Sequence, residues 1–197
     1  EGTPVFPYEP LVTVKGKLIE AQLLETFLLV TINHQSLIAT KTHRIVQEAK
    51  GRPVMEFGAR RAQGYDGATY GARAAYIGGA AGTATVSAGK AFGIPVLGTM
   101  AHSFVQSFDT EYDAFKAYAE IYPDSCILLV DTYDTLKSGI PNAIRVAEEV
   151  LQPMGKTLAG IRIDSGDIAY LTKKARMMLD VAGLTNTKIS ISNSLDE

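Results

Sequence analysis

The sequence predicts an α/β protein: an incomplete parallel (β/α) barrel, preceded by part of a β-rich N-terminal domain and a long helix. Three observations predict it. From Val54 onward, short apolar runs alternate with segments of 3.6-residue periodicity. The runs are continuously apolar, as strands of a parallel sheet buried on both faces must be. Finally, an eight-unit barrel takes about 250 residues, and the chain after Pro53 has room for about six strands. An open doubly wound sheet satisfies the same pattern. Both architectures place function at the carboxyl ends of the strands.

Taken in order, VFPYEPLVTVKGKL alternates around Pro7 and Pro10 and reads as short strands. Residues 19–49 read as one long helix, with Leu23, Leu24, Phe27, Leu28 and Ile32 near helical spacing. Lys50-Gly51-Arg52-Pro53 stops it, which divides the chain into residues 1–50 (N-terminal region and linking helix) and 51–197 (partial barrel). Strands are expected at 54–58, near Gly82-Thr83, and at 95–99, 126–131, 158–164 and 188–193. Between them, three helices show apolar faces: one capped by Asp109 or Thr110 with Tyr112, Phe115, Ala119 and Tyr122; one with Ile140, Ile144, Ala147, Leu151 and Met154; one with Ile168, Leu171, Ala175, Met178 and Ala182, stopped by Gly183. Gly and Ala crowd residues 58–93, which permits close approach of backbone to a ligand or of helix to helix.

Composition narrows the function. The 197 residues are 46% hydrophobic and 20% charged, with a net charge of −2. That balance gives no electrostatic reason to expect nucleic acid or an acidic membrane surface. The apolar run at 27–32 is far shorter than the roughly 20 residues of a bilayer span. A single cysteine, Cys126, points to a reducing compartment, and the expectation is a cytoplasmic protein. The chain opens on Glu1 without methionine and ends just after a strand-like run, so it is expected to be a portion of a longer protein.

The strand ends carry the chemistry. VMEFG leads into Ala59-Arg60-Arg61, PVLGT into Met100-Ala101-His102, CILLVD into Thr132-Tyr133-Asp134, LAGIRID into Ser165-Gly166-Asp167, and KISIS into Asn193. Arginines bind carboxylate or phosphate in bidentate fashion. Carboxylates hold Mg²⁺ or ribose hydroxyls and support a positively charged sugar carbon. No nucleophile elbow or Walker loop is present, and the inventory fits a phosphorylated sugar handled with an anionic partner. Plainer readings coexist. DTYD and RIDSGD are also helix caps, with Asp164 or Ser165 as the capping residue in the second. His34 and His43, on the long helix, read as structural or surface groups. A metal hydrolase using His102, Asp131, Asp134 and Asp164 lacks diagnostic ligand spacing.

Five stretches in order, EGTPVFPYEPLVTVKGKLIEAQLLET, FGARRAQGYDGA, GTMAHSFVQ, LLVDTYDT and GIRIDSGD, resemble the nicotinate phosphoribosyltransferase family across nearly the whole chain. The resemblance implies an incomplete α/β barrel behind a β-rich domain. It also implies a reaction in which nicotinate and phosphoribosyl pyrophosphate give nicotinate mononucleotide and pyrophosphate, coupled to ATP hydrolysis through a phosphohistidine, in NAD salvage. Mg²⁺ and a homodimer with shared active sites come with it, as do further chain at both ends, an N-terminal tyrosine and a Gly-rich phosphate site.

By motif, the resemblance makes His102 the phosphorylated histidine, Asp134 its support and Asp164 a carboxylate near the ribose. It makes Phe57 the aromatic that stacks on the pyridine ring, with Arg60 beside it. Thr99 and Arg162 are expected to meet nicotinate, and Asn193 the sugar phosphate. No residue is assigned as a metal ligand. Related nicotinamide enzymes carry an aspartate in a GTDTV context, where this chain has Gly82-Thr83-Ala84-Thr85-Val86, so nicotinate is expected over nicotinamide. Use of nicotinamide or another pyridine, and a non-catalytic fragment, are the alternatives.

Overall fold

A computed structural model describes residues 2–193 and 195–197. Contacts divide it into two compact units, one running to Gly98 and including Asp196–Glu197, the other Thr99–Leu195. The boundary expected after Lys50 falls inside the first unit.

The first unit opens without regular structure through residue 17. The short strands expected there are not formed. Pro7 and Pro10 have no N–H to offer a ladder, and the segment closes a turn instead: Glu9 N–H donates to the Phe6 carbonyl at 3.2 Å, and the Glu9 carboxylate accepts from Phe6 N–H at 2.9 Å. Helix α1 (Leu18–Glu48) matches the expected long helix. It ends where Lys50 and Gly51 take positive φ. Strand β1 (Met55–Glu56), helix α2 (Gly64–Ile77), strand β2 (Gly82–Thr83) and helix α3 (Val86–Phe92) follow, with β1 and β2 parallel in register Met55↔Gly82. The expected strand at 95–99 shrinks to a single parallel bridge between Thr83 and Val96.

The small residues of this unit serve packing. Helix α2 lies on α1, and the site of a Cβ on Gly78 is 2.5 Å from the Ala39 carbonyl oxygen. Ala72, Ala74, Ala75 and Ala88 are buried. A larger residue at Gly78 would force the helices apart.

In the second unit, short helix α4 (His102–Gln106) and helix α5 (Glu111–Ile121) precede three parallel strands, β3 (Ile127–Leu129), β4 (Gly160–Ile163) and β5 (Lys188–Ile191), in the order β3-β4-β5. The crossover between β3 and β4 is one helical stretch: a π turn (Thr135–Gly139), helix α6 (Ile140–Val146), a second π turn (Ala147–Leu151) and a 3₁₀ turn (Gln152–Met154). Helix α7 (Ile168–Val181) links β4 to β5 and ends before Gly183, whose φ of +76° suits glycine. Thr110 caps α5 as expected. Asp167, rather than Asp164 or Ser165, caps α7 by accepting from Tyr170 N–H at 3.0 Å.

Leu128, Leu129, Ile161 and Ile163 from the strands, Phe115 from α5, Ile140 and Val146 from α6, and Leu179 from α7 form one fully buried core. Burial of most of β3 and β4 beneath the helices gives the parallel α/β arrangement the apolar runs require, while β5 is only partly covered. Among the described residues the strands form parallel sheets and no closed barrel, as an incomplete barrel should. Cys126 lies in this core, where burial pushes its thiol up to about 12.

At the start of α6 the helix runs against the end of β3: a Cβ on Gly139 would collide with the Val130 backbone carbonyl. Gly139→Ala is therefore expected to cost about 3 kcal/mol or more in chemical denaturation, the upper end for an overpacked site. Gly98→Ala, where a Cβ meets open space, should be near neutral.

Candidate active site

The polar site of the second unit sits where its three strands end. Strand alternation explains which residues reach it. Ile161 and Ile163 point into the core, so Arg162 and Asp164 share the opposite face. The β4–β5 register pairs Arg162 with Ser190, which brings Ser192, two residues on, beside Asp164. Beyond β3, Asp131 lies level with Asp164 in the register set by Leu129↔Arg162.

The Arg162 guanidinium is held on several sides. Nε donates to Ser192 Oγ at 2.9 Å, Nη1 to Thr99 Oγ1 at 2.9 Å and to the Met100 carbonyl at 3.4 Å, and Nη2 to Asp164 Oδ2 at 3.1 Å. Both side chains of the ion pair are only 13% exposed, so the pair is shielded from solvent in a way surface pairs are not. Asp164 Oδ1 accepts from Ser192 Oγ at 2.7 Å. Its Oδ2 lies 3.4 Å from His102 Nε2, and His102 Nδ1 is 3.2 Å from Thr132 Oγ1. Facing a carboxylate, Nε2 is the nitrogen that carries hydrogen, and the Thr132 hydroxyl can serve Nδ1 as donor or acceptor.

Beneath this layer, buried Asp131 fixes the turn after β4. Its Oδ2 accepts from Asp164 N–H at 3.0 Å and from Ser165 Oγ at 2.5 Å. Burial alone pushes the Asp164 carboxyl up. The hydrogen bond from Ser192, the Arg162 charge and His102 outweigh it, and the net direction is down from the ordinary 3.8.

Thr99, His102, Arg162 and Asp164, expected at the site from two separate stretches, GTMAHSFVQ and GIRIDSGD, thus join one connected polar network. Asp134 sits elsewhere in the same loop. Its Oδ1 accepts from Leu136 and Lys137 N–H at 3.1 and 2.9 Å, capping the π turn, while the His102 ring meets Thr132 and Asp164. Asn193 is half-buried just past β5. Phe57, half-buried beyond β1, and Arg60, exposed on a 3₁₀ turn (Ala59–Arg61), belong to the first unit. His34 bonds the Gly67 carbonyl at 3.2 Å, the structural role expected of it. Sequence reasoning did not single out Thr132 or Ser192, although one lies inside DTYD and the other directly before Asn193. Among the described residues no group of three or more His, Cys, Asp or Glu is arranged to hold a metal ion, so the metal-hydrolase reading gains no support.

The model of the nicotinate phosphoribosyltransferase (NAPRTase) family matches residues 53–191. The chain belongs to that family. It is 55% identical over its whole length to the nicotinate phosphoribosyltransferase of Bacillus subtilis, covering 40% of that protein, and 50% identical to nicotinate phosphoribosyltransferase pncB2 of Mycobacterium tuberculosis, covering 42%. The crystal structure of human nicotinic acid phosphoribosyltransferase superimposes on all of the chain and on 50% of its own, with a TM-score of 0.85 at 33% identity. The chain therefore spans less than half the length of these two bacterial relatives.

The depressed Asp164 carboxyl sets a pH dependence. A group whose folded-state pKa is lowered contributes stability that is present above its unfolded value and lost as pH falls through the folded one. The stability difference between the parent protein and Asp164→Asn should hold steady from neutral pH to about 4 and shrink only below the ordinary 3.8. Denaturation midpoints measured across that range check it; a difference fading between pH 7 and 5 would contradict the assignment.

Proposed function

We propose that the chain carries the active-site network of a nicotinate phosphoribosyltransferase, which joins nicotinate to phosphoribosyl pyrophosphate with ATP coupling through His102. The observation that carries the reading is that Thr99, His102, Arg162 and Asp164 meet in one network. Family membership supports the same conclusion.

In this reaction the pyridine nitrogen attacks the ribose C1 with its own lone pair. The N–C bond forms, the C–O bond breaks, and pyrophosphate leaves with the electron pair. No general base is needed. Positive charge grows on the sugar carbon, and a carboxylate held nearby stabilises it. Asp164 is the carboxylate for this role, kept ionised by Ser192 and Arg162. The Arg162 guanidinium and the Thr99 hydroxyl supply donors for the nicotinate carboxylate, already fixed relative to each other by their 2.9 Å bond. The roles expected of Phe57, Arg60 and Asn193, and the shared-site homodimer in the cytoplasm, rest on the family resemblance.

The donor set suits Mg²⁺ that arrives with pyrophosphate rather than one caged by the protein, since Mg²⁺ takes one or two carboxylates and otherwise substrate phosphates and water. Half-exposed Asp134, whose Oδ1 caps the π turn, and exposed Asp167 are the carboxylates open to it. When bound, Mg²⁺ would neutralise charge on the leaving pyrophosphate.

In the ATP-coupled half-reaction, a His102 ring nitrogen takes the γ-phosphoryl group and ADP leaves. Hydrolysis of the resulting N–P bond later releases phosphate. With Nε2 turned to Asp164 and Nδ1 to Thr132, phosphorylation at either nitrogen must displace one of these partners. An added anion beside Asp164 would loosen the Arg162–Asp164 pair through like-charge repulsion and alter substrate affinity.

Two experiments test this reading. Given nicotinate, phosphoribosyl pyrophosphate, Mg²⁺ and ATP, the intact protein should yield nicotinate mononucleotide by mass spectrometry and carry an acid-labile phosphate that His102→Ala abolishes. Absence of product from folded, intact protein would refute the enzyme assignment. Ala84→Asp should raise the KM for nicotinate at least about tenfold, roughly 1.4 kcal/mol of like-charge cost, while sparing nicotinamide; unchanged nicotinate kinetics would remove Ala84 from the specificity argument.

A further inference from the structure

We propose that Ser192 is a positioning residue that fixes Arg162 and Asp164 in one mutual orientation, so that the substrate-binding arginine and the carboxylate facing His102 act as a single unit. The inference rests on the nicotinate reading above for the roles of those two residues, and on this geometry for the role of Ser192.

A serine hydroxyl has one hydrogen to give and lone pairs to accept with. Ser192 uses both: its Oγ accepts from Arg162 Nε at 2.9 Å and donates to Asp164 Oδ1 at 2.7 Å. Its backbone is anchored as well. Ser192 N–H donates to the Ile163 carbonyl at 3.1 Å, which extends the β4–β5 ladder one step past β5. The hydroxyl is therefore delivered by the sheet itself, at the register position level with Asp164.

The direct Arg162–Asp164 contact is one hydrogen bond, Nη2 to Oδ2 at 3.1 Å, which alone does not set the plane of either group. The serine closes a ring through the other end of each: Nε on the guanidinium and Oδ1 on the carboxylate. With that second link, the guanidinium plane is set so that Nη1 reaches Thr99. The carboxylate is likewise set so that Oδ2 is directed between Arg162 and His102. Remove the hydroxyl and the ion pair survives, with Nη1 still on Thr99 and the Met100 carbonyl, but the bridge that ties Nε to the far oxygen of the carboxylate is gone. The contacts of Ser192 run to Arg162, Asp164 and the Ile163 carbonyl, so its effect is on alignment.

The test compares Ser192→Ala and Ser192→Thr with the parent in the intact protein, by steady-state kinetics with nicotinate and by crystal structures of all three. Ser192→Ala should raise the nicotinate KM about tenfold and lower kcat by a similar factor, because both halves of the unit lose alignment. Ser192→Thr, which keeps the hydroxyl, should recover most of both. A general packing defect would lower the unfolding midpoint and leave KM unmoved in the folded fraction. Unchanged KM and kcat in Ser192→Ala would overturn the proposal, as would a loss that threonine does not restore. If the parent itself forms no nicotinate mononucleotide, the functional reading fails separately. The role of Ser192 is then decided by the Arg162–Asp164 pair, whose mutual orientation should change in Ser192→Ala and be kept in Ser192→Thr; an unmoved pair would refute it.

Discussion

The Asp164 carboxylate is shared by Arg162, Ser192 and His102, and the rest of the second unit can be understood as what makes that sharing possible. A carboxylate this sheltered is unfavourable in its charged form unless its oxygens are occupied. Both oxygens are, which is why the balance of effects on Asp164 runs downward despite burial. The backbone behind it is held by a second buried carboxylate, Asp131, through the Asp164 N–H and the Ser165 hydroxyl. One acid thus faces the cationic groups Arg162 and His102, while the other holds the backbone turn in place.

That arrangement depends on an apolar scaffold only a few ångströms away. Ile161 and Ile163 alternate with Arg162 and Asp164, so the same four residues of β4 anchor the sheet in the core and aim the polar pair away from it. Any slip of one residue in the β4–β5 pairing would bury the arginine and expose the isoleucines. Gly139 adds a second constraint: its missing Cβ lets α6 begin directly against the end of β3, which fixes the loop bearing Thr132, the partner of His102. The π turn at Thr135–Gly139, capped by Asp134, lies in that loop, and such turns are frequent at functional positions.

Much of this was legible in the sequence. The runs at 126–131, 158–164 and 188–193 marked three parallel strands, the first continuously apolar and the other two carrying polar residues between apolar ones. The polar residues at their ends followed from the strand-end rule. Less legible were features decided by neighbours rather than by pattern. The N-terminal run alternates like a strand, yet Pro7 and Pro10 leave it short of donors and a turn forms over Tyr8. PVLGT has strand composition but makes only one bridge, at Val96. The Gly and Ala of 58–93 read first as a close approach of backbone to backbone or ligand, with a helix interface as the plainer alternative, and at Gly78 the distance to Ala39 shows the interface. Asp134 and Thr132 are two residues apart in one motif; the family resemblance assigns the carboxylate to the histidine, whereas here the Thr132 hydroxyl meets the ring and Asp134 caps the π turn.

The same geometry bears on how ATP energy would reach the substrate. A phosphoryl group on His102 can change affinity elsewhere only if some contact differs between the phosphorylated and free states. Asp164 is that contact, because it is the group the His102 ring and the Arg162 guanidinium have in common. Under the proposed function, a phosphate next to it would add a further anion beside Arg162 and Asp164, so the contacts of the pair, and with them the affinity for substrate, would differ between the two states. In the proposed cycle Arg162 would serve both the internal pair and the substrate's carboxylate. The pair's worth would then lie less in stability than in linking Arg162 to the state of His102 through Asp164.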